Sequence, residues 1–313
     1  MEQHKRHSSL RRLILGLVGI VCCIPATALG HPIQSYASAP LSFQEPWSVA
    51  ADAHGNLYVA DRLNLRIAKV SSSGTLLQEY QGFTNGDTDA GPMGVAVTPS
   101  GTVYASDPRG SRILVFAPDG HLLRSWGHLG TAPGQFMVPV GVGVNSKGQV
   151  YVADVYNNRI QVFSSTGRYL RAWGSWGDRP GQFEHPFGIA VDNQDRVYVS
   201  DHLGGRVEVF TATGHLLWSW GKTGRGRGEC FLPFGVALDQ AGQVYVADEV
   251  NRRVEKLSPT GRLLHTYGGR KGQPFLDPSG VVVGRDGRIY VLDQELNQII
   301  SLSPQGQVIG RWM

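Results

Sequence analysis

The sequence contains little cysteine, which excludes a scaffold held together by disulfide bonds. Three cysteines occur in 313 residues, and Cys22 and Cys23 both lie in an apolar N-terminal stretch. Removal of that stretch leaves Cys230 alone, so the remaining chain has no internal disulfide and must be stabilised by burial of apolar residues. No catalytic Cys-His signature surrounds Cys230, and we interpret it as a small buried hydrophobic residue.

The sequence also lacks a large charge excess and any sustained helical pattern. It has 29 basic and 25 acidic residues, and residues 1–30 contain four of the basic and one of the acidic ones. Without residues 1–30 the formal net charge is therefore about +1, which argues against a nucleic-acid-binding protein. After residue 30 no stretch keeps a period of 3.6 residues, so we expect almost no helix.

The N-terminus has the pattern of a secretory signal peptide. A basic start precedes an apolar run at residues 13–24, and small residues then offer cleavage sites after Ala28 or Gly30. We therefore interpret residues 1–30 as a signal peptide and the protein as exported, whether secreted, periplasmic or in the cell envelope, with no membrane span after cleavage. The alternative is an uncleaved membrane anchor, although the stretch is shorter than a span of ~20 residues and contains Pro25.

One pattern is repeated six times in residues 43–313, after a polar linker at residues 31–42. Each copy has four strand-like segments, Pro-x-Gly-Val-Ala-Val, Val-Tyr-Val-Ala-Asp, Arg-Ile-x-Val-Phe and Leu-Leu-x-x-Trp-Gly, with turn residues between them. The tyrosine of the second segment recurs every 45–47 residues, at Tyr58, Tyr104, Tyr151, Tyr198, Tyr245 and Tyr290. Such repeats are typical of propeller blades. We therefore predict an all-β fold, a six-bladed β-propeller with four antiparallel strands per blade.

Two further features of the repeat concern the ring. The sixth copy has its own fourth-strand segment at residues 308–312. We therefore expect the ring to close by packing of the first blade against the sixth, without strand exchange. An Asp ends each second strand, and an Arg opens the third strand in the first five copies. We interpret both as structural, because such an Asp accepts hydrogen bonds from the backbone of its own turn.

The third copy carries the motifs of a known repeat family. It reads Pro-Val-Gly-Val-Gly-Val at residues 139–144, Val-Tyr-Val-Ala-Asp at 150–154 and Asn-Asn-Arg-Ile-Gln-Val-Phe at 157–163. These motifs resemble the NHL repeat, and the resemblance extends over residues 43–313. It implies a propeller fold but no particular function, because similar propellers serve as binding modules and as enzymes.

The resemblance also concerns the residues directly after the entry prolines, which we expect to form a ring around the channel. In the NHL-like peptidyl-amidoglycolate lyases, histidines directly after the entry prolines hold zinc. The residues at these positions here are Trp47, Met93, Val140, Phe187, Phe234 and Ser279, and none is a zinc ligand. The acidic and Asn ligands of gluconolactonase-type propellers, nucleophile elbows and phosphate loops are also missing. We therefore predict no catalytic residues, no metal site and no cofactor.

Ligands of propellers usually bind at the mouth of the central channel. The mouth face carries the connections between blades and the turns from second to third strands. Three histidines lie in separate loops of this face, and we expect them to be solvated: His128, His185 and His202. Predicted binding residues are apolar anchors near the channel and basic residues on its rim: Trp47, Met93, Phe187, Phe234, Arg225, Arg227 and Arg270. The basic residues occur in the blade 4–5 and 5–6 connections, without matching acids.

Apolar anchors inside a polar rim suit recognition of another macromolecule. The favoured function is a non-enzymatic, exported binding or scaffold module for a protein, peptide or envelope polymer. The alternative function is that of a metal-dependent lyase or hydrolase of the six-bladed class. A further alternative for the site is that the ring residues only plug the channel and the arginines are solvated.

Overall fold

The computed structural model describes residues 41–86, 90–269 and 274–313. The predicted signal peptide, most of the predicted linker and Arg270 lie outside these residues. Within them the chain forms six sheets of four antiparallel strands, arranged in sequence order around a ring. The only helical element of these ranges is the 3₁₀ turn Val155–Asn157, and no helix there is long and apolar enough to cross a membrane. The predicted all-β, six-bladed architecture is confirmed.

In each blade the chain runs from the innermost strand outwards. Blade 1 consists of β1 (Pro46–Ala51), β2 (Leu57–Asp61), β3 (Arg66–Val70) and β4 (Leu76–Tyr80). Blade 2 consists of β5 (Val95–Val97), β6 (Val103–Asp107), β7 (Arg112–Phe116) and β8 (Leu122–Trp126). Blade 3 consists of β9 (Pro139–Val144), β10 (Val150–Asp154), β11 (Arg159–Phe163) and β12 (Tyr169–Trp173).

The second half of the ring repeats this order. Blade 4 consists of β13 (Pro186–Val191), β14 (Val197–Asp201), β15 (Arg206–Phe210) and β16 (Leu216–Trp220). Blade 5 consists of β17 (Pro233–Leu238), β18 (Val244–Asp248), β19 (Arg253–Leu257) and β20 (Leu263–Gly268). Blade 6 consists of β21 (Pro278–Val283), β22 (Ile289–Asp293), β23 (Gln298–Leu302) and β24 (Val308–Trp312). Each sheet consists of four consecutive strands, so no strand is exchanged between blades.

Burial decreases from the second strand to the fourth. Every residue of β2, β6, β10, β14, β18 and β22 is buried, whereas β8 is largely exposed. The described residues form an apolar cluster at each of the six interfaces between neighbouring blades. Since both faces of each sheet contribute to such clusters, an isolated blade lacks a core of its own.

The first strands converge on the axis because they carry glycine. A Cβ atom on Gly141 would overlap the carbonyl oxygen of Phe187 in the next blade, and one on Gly94 would overlap that of Val140. The glycine of the Pro-x-Gly segment therefore permits a backbone approach that other residues do not. Blade 1 has Ser48 at this position.

The ring closes between blades 6 and 1 by packing, as predicted. Phe43 lies in the apolar cluster of this interface, where Phe136 and Phe183 lie in the clusters of theirs. The backbone N–H of Glu45 donates to Asn297 Oδ1 (2.7 Å), which ties the segment before β1 to blade 6. This segment therefore takes the place of a blade connection at the closing interface.

The repeated Asp anchors the start of its own blade. Asp154 Oδ1 accepts the N–H of Met137, just before β9 (2.7 Å), and Arg159 Nε donates to Oδ2 (2.8 Å). Asp61 and Asp201 accept the equivalent backbone N–H groups at 2.8 and 2.6 Å. The predicted structural role is supported. The backbone N–H groups that Asp154, Asp61 and Asp201 accept lie 17 residues earlier in the chain, and Asp293 Oδ1 also accepts the N–H of Leu296 in its own turn (3.1 Å).

Candidate functional site at the channel mouth

Side chains from several blades close the mouth of the channel. Trp47, Met93, Val140 and Phe234 are buried there, and Phe187 is half-buried. We call these five residues the channel plug. Trp47 and Phe234 each keep only 7% of their surface exposed, and the cavity along the axis measures about 50 Å³. The four predicted anchors are thus brought together, but they fill the channel instead of lining an open pocket.

The aromatic side chains of the channel plug pack as in a protein core. The ring centroids of Trp47 and Phe234 are 5.0 Å apart, and those of Phe187 and Phe234 are 5.1 Å apart, both edge to face. Aromatic pairs at these separations attract each other beyond the effect of their buried area. The guanidinium of Arg62 lies 5.4 Å from the ring centroid of Trp47 and forms an ion pair with Glu45. Contacts between blades 1, 4 and 5 therefore hold the plug together.

His202 extends the channel plug, and the expectation that it is solvated is wrong. Only 2% of its surface is exposed, and its ring stacks on Phe187 at 4.4 Å and meets Phe234 edge-on at 5.7 Å. Its Nδ1 lies 3.2 Å from the carbonyl oxygen of Pro233. Burial lowers the pKa of His202 to about 4, so the imidazole is neutral at pH 7. The residue that follows the second-strand Asp differs from blade to blade. This variation shows in the sequence that His202 does not occupy a structurally repeated position.

The other two histidines of the mouth face have different surroundings. His185 is half-buried, with its ring 5.2 Å from that of Tyr156, and burial lowers its pKa. His128 is exposed, and its Nε2 lies 3.0 Å from Nε2 of Gln135. In the part of the chain that the structure describes, no three His, Cys, Asp or Glu side chains are grouped so that they could hold a metal ion.

The predicted rim arginines lie on the connection between blades 4 and 5. Arg225 is exposed, and its guanidinium lies 5.4 Å from the ring centroid of Phe231, within the range of a cation–π contact. Arg227 is exposed as well. Arg270 lies outside the described residues. Both described arginines are therefore accessible to a partner, in contrast to the buried residues of the plug.

One acid in this connection balances part of its positive charge. Lys222 Nζ lies 3.2 Å from Glu229 Oε1, so the premise that this connection has no matching acid is wrong. A hydrogen bond from the backbone N–H of Gly226 and the ion pair with Lys222 lower the pKa of Glu229. Arg225 and Arg227 form no ion pair within the described residues and remain as the exposed basic rim.

The mouth face also exposes apolar side chains that the sequence analysis did not single out. Trp176 is 72% exposed and Leu129 is 65% exposed, at the same position of two successive blade connections. Thr223 occupies that position in the next connection. Each of the three residues forms an isolated β-bridge to a buried residue seven positions later, namely Phe136, Phe183 or Cys230. A residue that blade geometry requires would be the same in each blade. The change from Leu129 to Trp176 to Thr223 therefore indicates in the sequence that this position is free to serve a function.

The six radial sheets, the closure by packing and the axial channel define a six-bladed β-propeller. Within that class, a family model described as NHL repeat matches residues 43–70 and 136–163, in blades 1 and 3. These matches and the six-bladed fold support an NHL-repeat β-propeller family. No curated protein sequence matches it.

Solved structures with this fold include two lyases and a nidogen/laminin complex. A streptogramin B lyase has a TM-score of 0.64 and 15% identity, over 87% of this chain and 84% of that chain. A catalytically inactive virginiamycin B lyase from Staphylococcus aureus with quinupristin has a TM-score of 0.64 and 14% identity, over 88% and 86% of the two chains. A nidogen/laminin complex has a TM-score of 0.62 and 18% identity, over 82% and 92%. Identities this low show a common fold only.

Proposed function

We propose that this NHL-repeat propeller is a non-enzymatic, exported binding or scaffold module. It binds a protein, a peptide or an envelope polymer through its mouth face. The observation that supports this most directly is a filled channel mouth on a face that also exposes apolar side chains. Because the channel plug fills the axis, a partner meets a broad surface, and broad surfaces with aromatic anchors suit macromolecules.

Trp176 is the principal anchor in this proposal. Its side chain is 72% exposed, and Trp is enriched among the residues that carry most of the binding energy at interfaces. Arg225 and Arg227 lie on the following blade connection and add positive charge to the same face. Such rim charges mainly accelerate association with an acidic partner, whereas a buried aromatic anchor slows dissociation.

The export part of the proposal rests on residues 1–30. Cleavage after Ala28 or Gly30 is expected, and the mass of the exported protein measures it. An intact N-terminus recovered in the membrane fraction would support the alternative of an uncleaved anchor.

Binding is tested in two steps. Immobilised protein first captures partners from an envelope extract, and the affinity of each purified partner is then measured against variants. Trp176→Ala should weaken binding at least about tenfold, which is 1.4 kcal/mol. Leu123→Ala is the matched control, because Leu123 is an exposed apolar residue of the outer strand β8, away from the mouth face. Unchanged affinity in both Trp176→Ala and the double variant Arg225→Ala/Arg227→Ala would place the binding surface elsewhere.

A metal-dependent lyase or hydrolase is the second candidate. The shape similarity to streptogramin B and virginiamycin B lyases favours it over other enzyme classes. Elemental analysis of the purified protein separates the two candidates. A stoichiometric bound metal, whose removal abolishes a lyase or hydrolase activity, would support the enzyme and contradict the binding module.

A further inference from the structure

A cleft opens on the face opposite the mouth, where blades 6, 1 and 2 meet. It measures about 220 Å³ and lies at the ends of β21, β1 and β5. Ala51, Val97, Pro99 and Val283 form apolar walls. The rest of the lining is Asp52, Ala53, Thr98 and Arg285. For comparison, a cavity of about 150 Å³ holds one benzene molecule. The cleft therefore has room for an apolar group the size of an aromatic ring.

Arg285 is the one basic residue of this cleft, and no ion pair within the described residues engages it. It is exposed, and within the described ranges no side chain forms an ion pair or hydrogen bond with it. The neighbouring acids have other partners. Asp286 Oδ2 lies 3.2 Å from Arg288 Nε, and Asp52 Oδ2 lies 3.7 Å from Lys69 Nζ. Both oxygens of Asp52 also accept hydrogen bonds within its own turn, so this carboxylate does not occupy Arg285.

Both features break the symmetry of the ring. The position of Arg285 is uncharged in the other five blades, where it is Ala53, Pro99, Ser146, Asn193 and Gln240. The last residue of the first strand is Ala51 in blade 1 and a larger residue in the others, namely Val97, Val144, Val191, Leu238 and Val283. Positions required by blade geometry would repeat, and these do not. Only this cleft combines the space that the small side chain of Ala51 leaves with the positive charge of Arg285.

We propose that the cleft binds a small carboxylate that carries an apolar group, such as an aromatic acid the size of benzoate. The guanidinium of Arg285 pairs with the carboxylate through two parallel hydrogen bonds, a geometry that lysine does not offer. The walls at Ala51, Val97 and Val283 contact the apolar group. This site lies at the opposite end of the channel from the mouth face and does not depend on the binding function proposed there.

Titration of the protein with benzoate, followed by calorimetry or ligand-observed NMR, tests the proposal. We expect saturable binding with a dissociation constant of about 1 mM. Arg285→Ala should weaken it at least about tenfold, as expected for loss of a charged hydrogen-bond partner. Arg262→Ala is the matched control, because Arg262 is an exposed arginine in a turn of the same face between β19 and β20. It should leave the affinity unchanged.

A second pair of variants tests the apolar part of the site. Ala51→Leu should abolish benzoate binding by filling the cleft, and the fold tolerates leucine at the equivalent Leu238 of blade 5. Val144→Leu places a leucine at the equivalent position of blade 3, away from the cleft, and this variant should bind benzoate normally. Benzyl alcohol, which has the ring without the charge, should bind at least about tenfold more weakly than benzoate.

Three results of the benzoate measurements would overturn the proposal, and a fourth concerns Ala51→Leu. They are the absence of saturable benzoate binding up to about 50 mM, equal affinity in the wild type and Arg285→Ala, and equal affinity for benzyl alcohol and benzoate. Binding that survives Ala51→Leu also overturns it, because the carboxylate would then be held outside the cleft.

Discussion

At the scale of the residue, a buried carboxylate in blade 4 replaces an amide in blade 3. Gln161 accepts the N–H of Gly134 (2.9 Å) through its oxygen and donates through its nitrogen to the second-strand Asp of its blade (3.0 Å). Glu208 accepts the equivalent N–H of Gly181 (3.1 Å), but an ionised carboxylate has no proton to donate. Burial raises the pKa of Glu208, and burial raises the pKa of Asp201 to about 7. Ionisation of both acids therefore destabilises the fold.

Glu208→Gln is predicted to stabilise the protein. The amide supplies the N–H that Gln161 provides in blade 3, and it removes a buried negative charge next to Asp201. The expected gain in the free energy of unfolding is about 1 kcal/mol at pH 8, measured by urea denaturation. The reverse change, Gln161→Glu, is the matched control and should destabilise. A lower stability of Glu208→Gln than of the wild type at pH 8 would contradict this account.

The same substitution has a defined pH dependence. In the unfolded chain Glu208 and Asp201 titrate near 4, so the folded state binds more protons between about pH 4 and 7. The wild-type contribution of this pair to stability therefore falls as the pH rises through that window, and the whole penalty is present above it. The difference between Glu208→Gln and the wild type should be small at pH 4 and largest at pH 8.

At the scale of the element, the innermost strands depend on the absence of a side chain. Gly141→Ala in β9 would drive a methyl group into the backbone of β13, which a rotamer change cannot relieve. We expect a loss of about 3 kcal/mol in the free energy of unfolding, measured by urea denaturation.

Gly134→Ala is the control for this substitution. It has open space around its Cβ position but a φ of +83°, so it should cost only about 1 kcal/mol. Equal costs for Gly134→Ala and Gly141→Ala would show that backbone conformation, and not strand convergence, explains these glycines.

At the scale of the whole molecule, the ring has one interface that no blade connection crosses. Phe43 fills the apolar cluster there, as Phe183 does at the blade 3–4 interface. Phe43→Ala should lower the free energy of unfolding by about 3–5 kcal/mol, and Phe183→Ala by a similar amount. The measurement is urea denaturation combined with hydrogen exchange.

The pattern of hydrogen exchange separates the two Phe variants. Phe43→Ala should accelerate exchange in β2 and β23, on either side of the closing interface. Phe183→Ala should instead accelerate exchange in blades 3 and 4. A neutral Phe43→Ala would mean that blades 6 and 1 hold together without the segment before β1.

Much of the molecule was determined by the sequence itself. Alternating apolar residues and turn chemistry act within a few residues, so the 45–47-residue recurrence of tyrosine sufficed to predict six four-stranded blades. The separate fourth-strand segment at residues 308–312 predicted closure without strand exchange. Cys230 aligns with Phe136 and Phe183, and it is buried as predicted, with burial raising the pKa of its thiol well above the usual range.

Only the tertiary structure decided what the conspicuous side chains do. His202 and Phe187 lie 15 positions apart within one blade, and Phe234 belongs to the next, yet all three meet at the axis. Their contact depends on the radius of the ring and the tilt of the blades, which no local pattern of the sequence reports. The same geometry makes the predicted anchors a buried plug, leaves Trp176 exposed, and leaves Arg285 beside an open cleft.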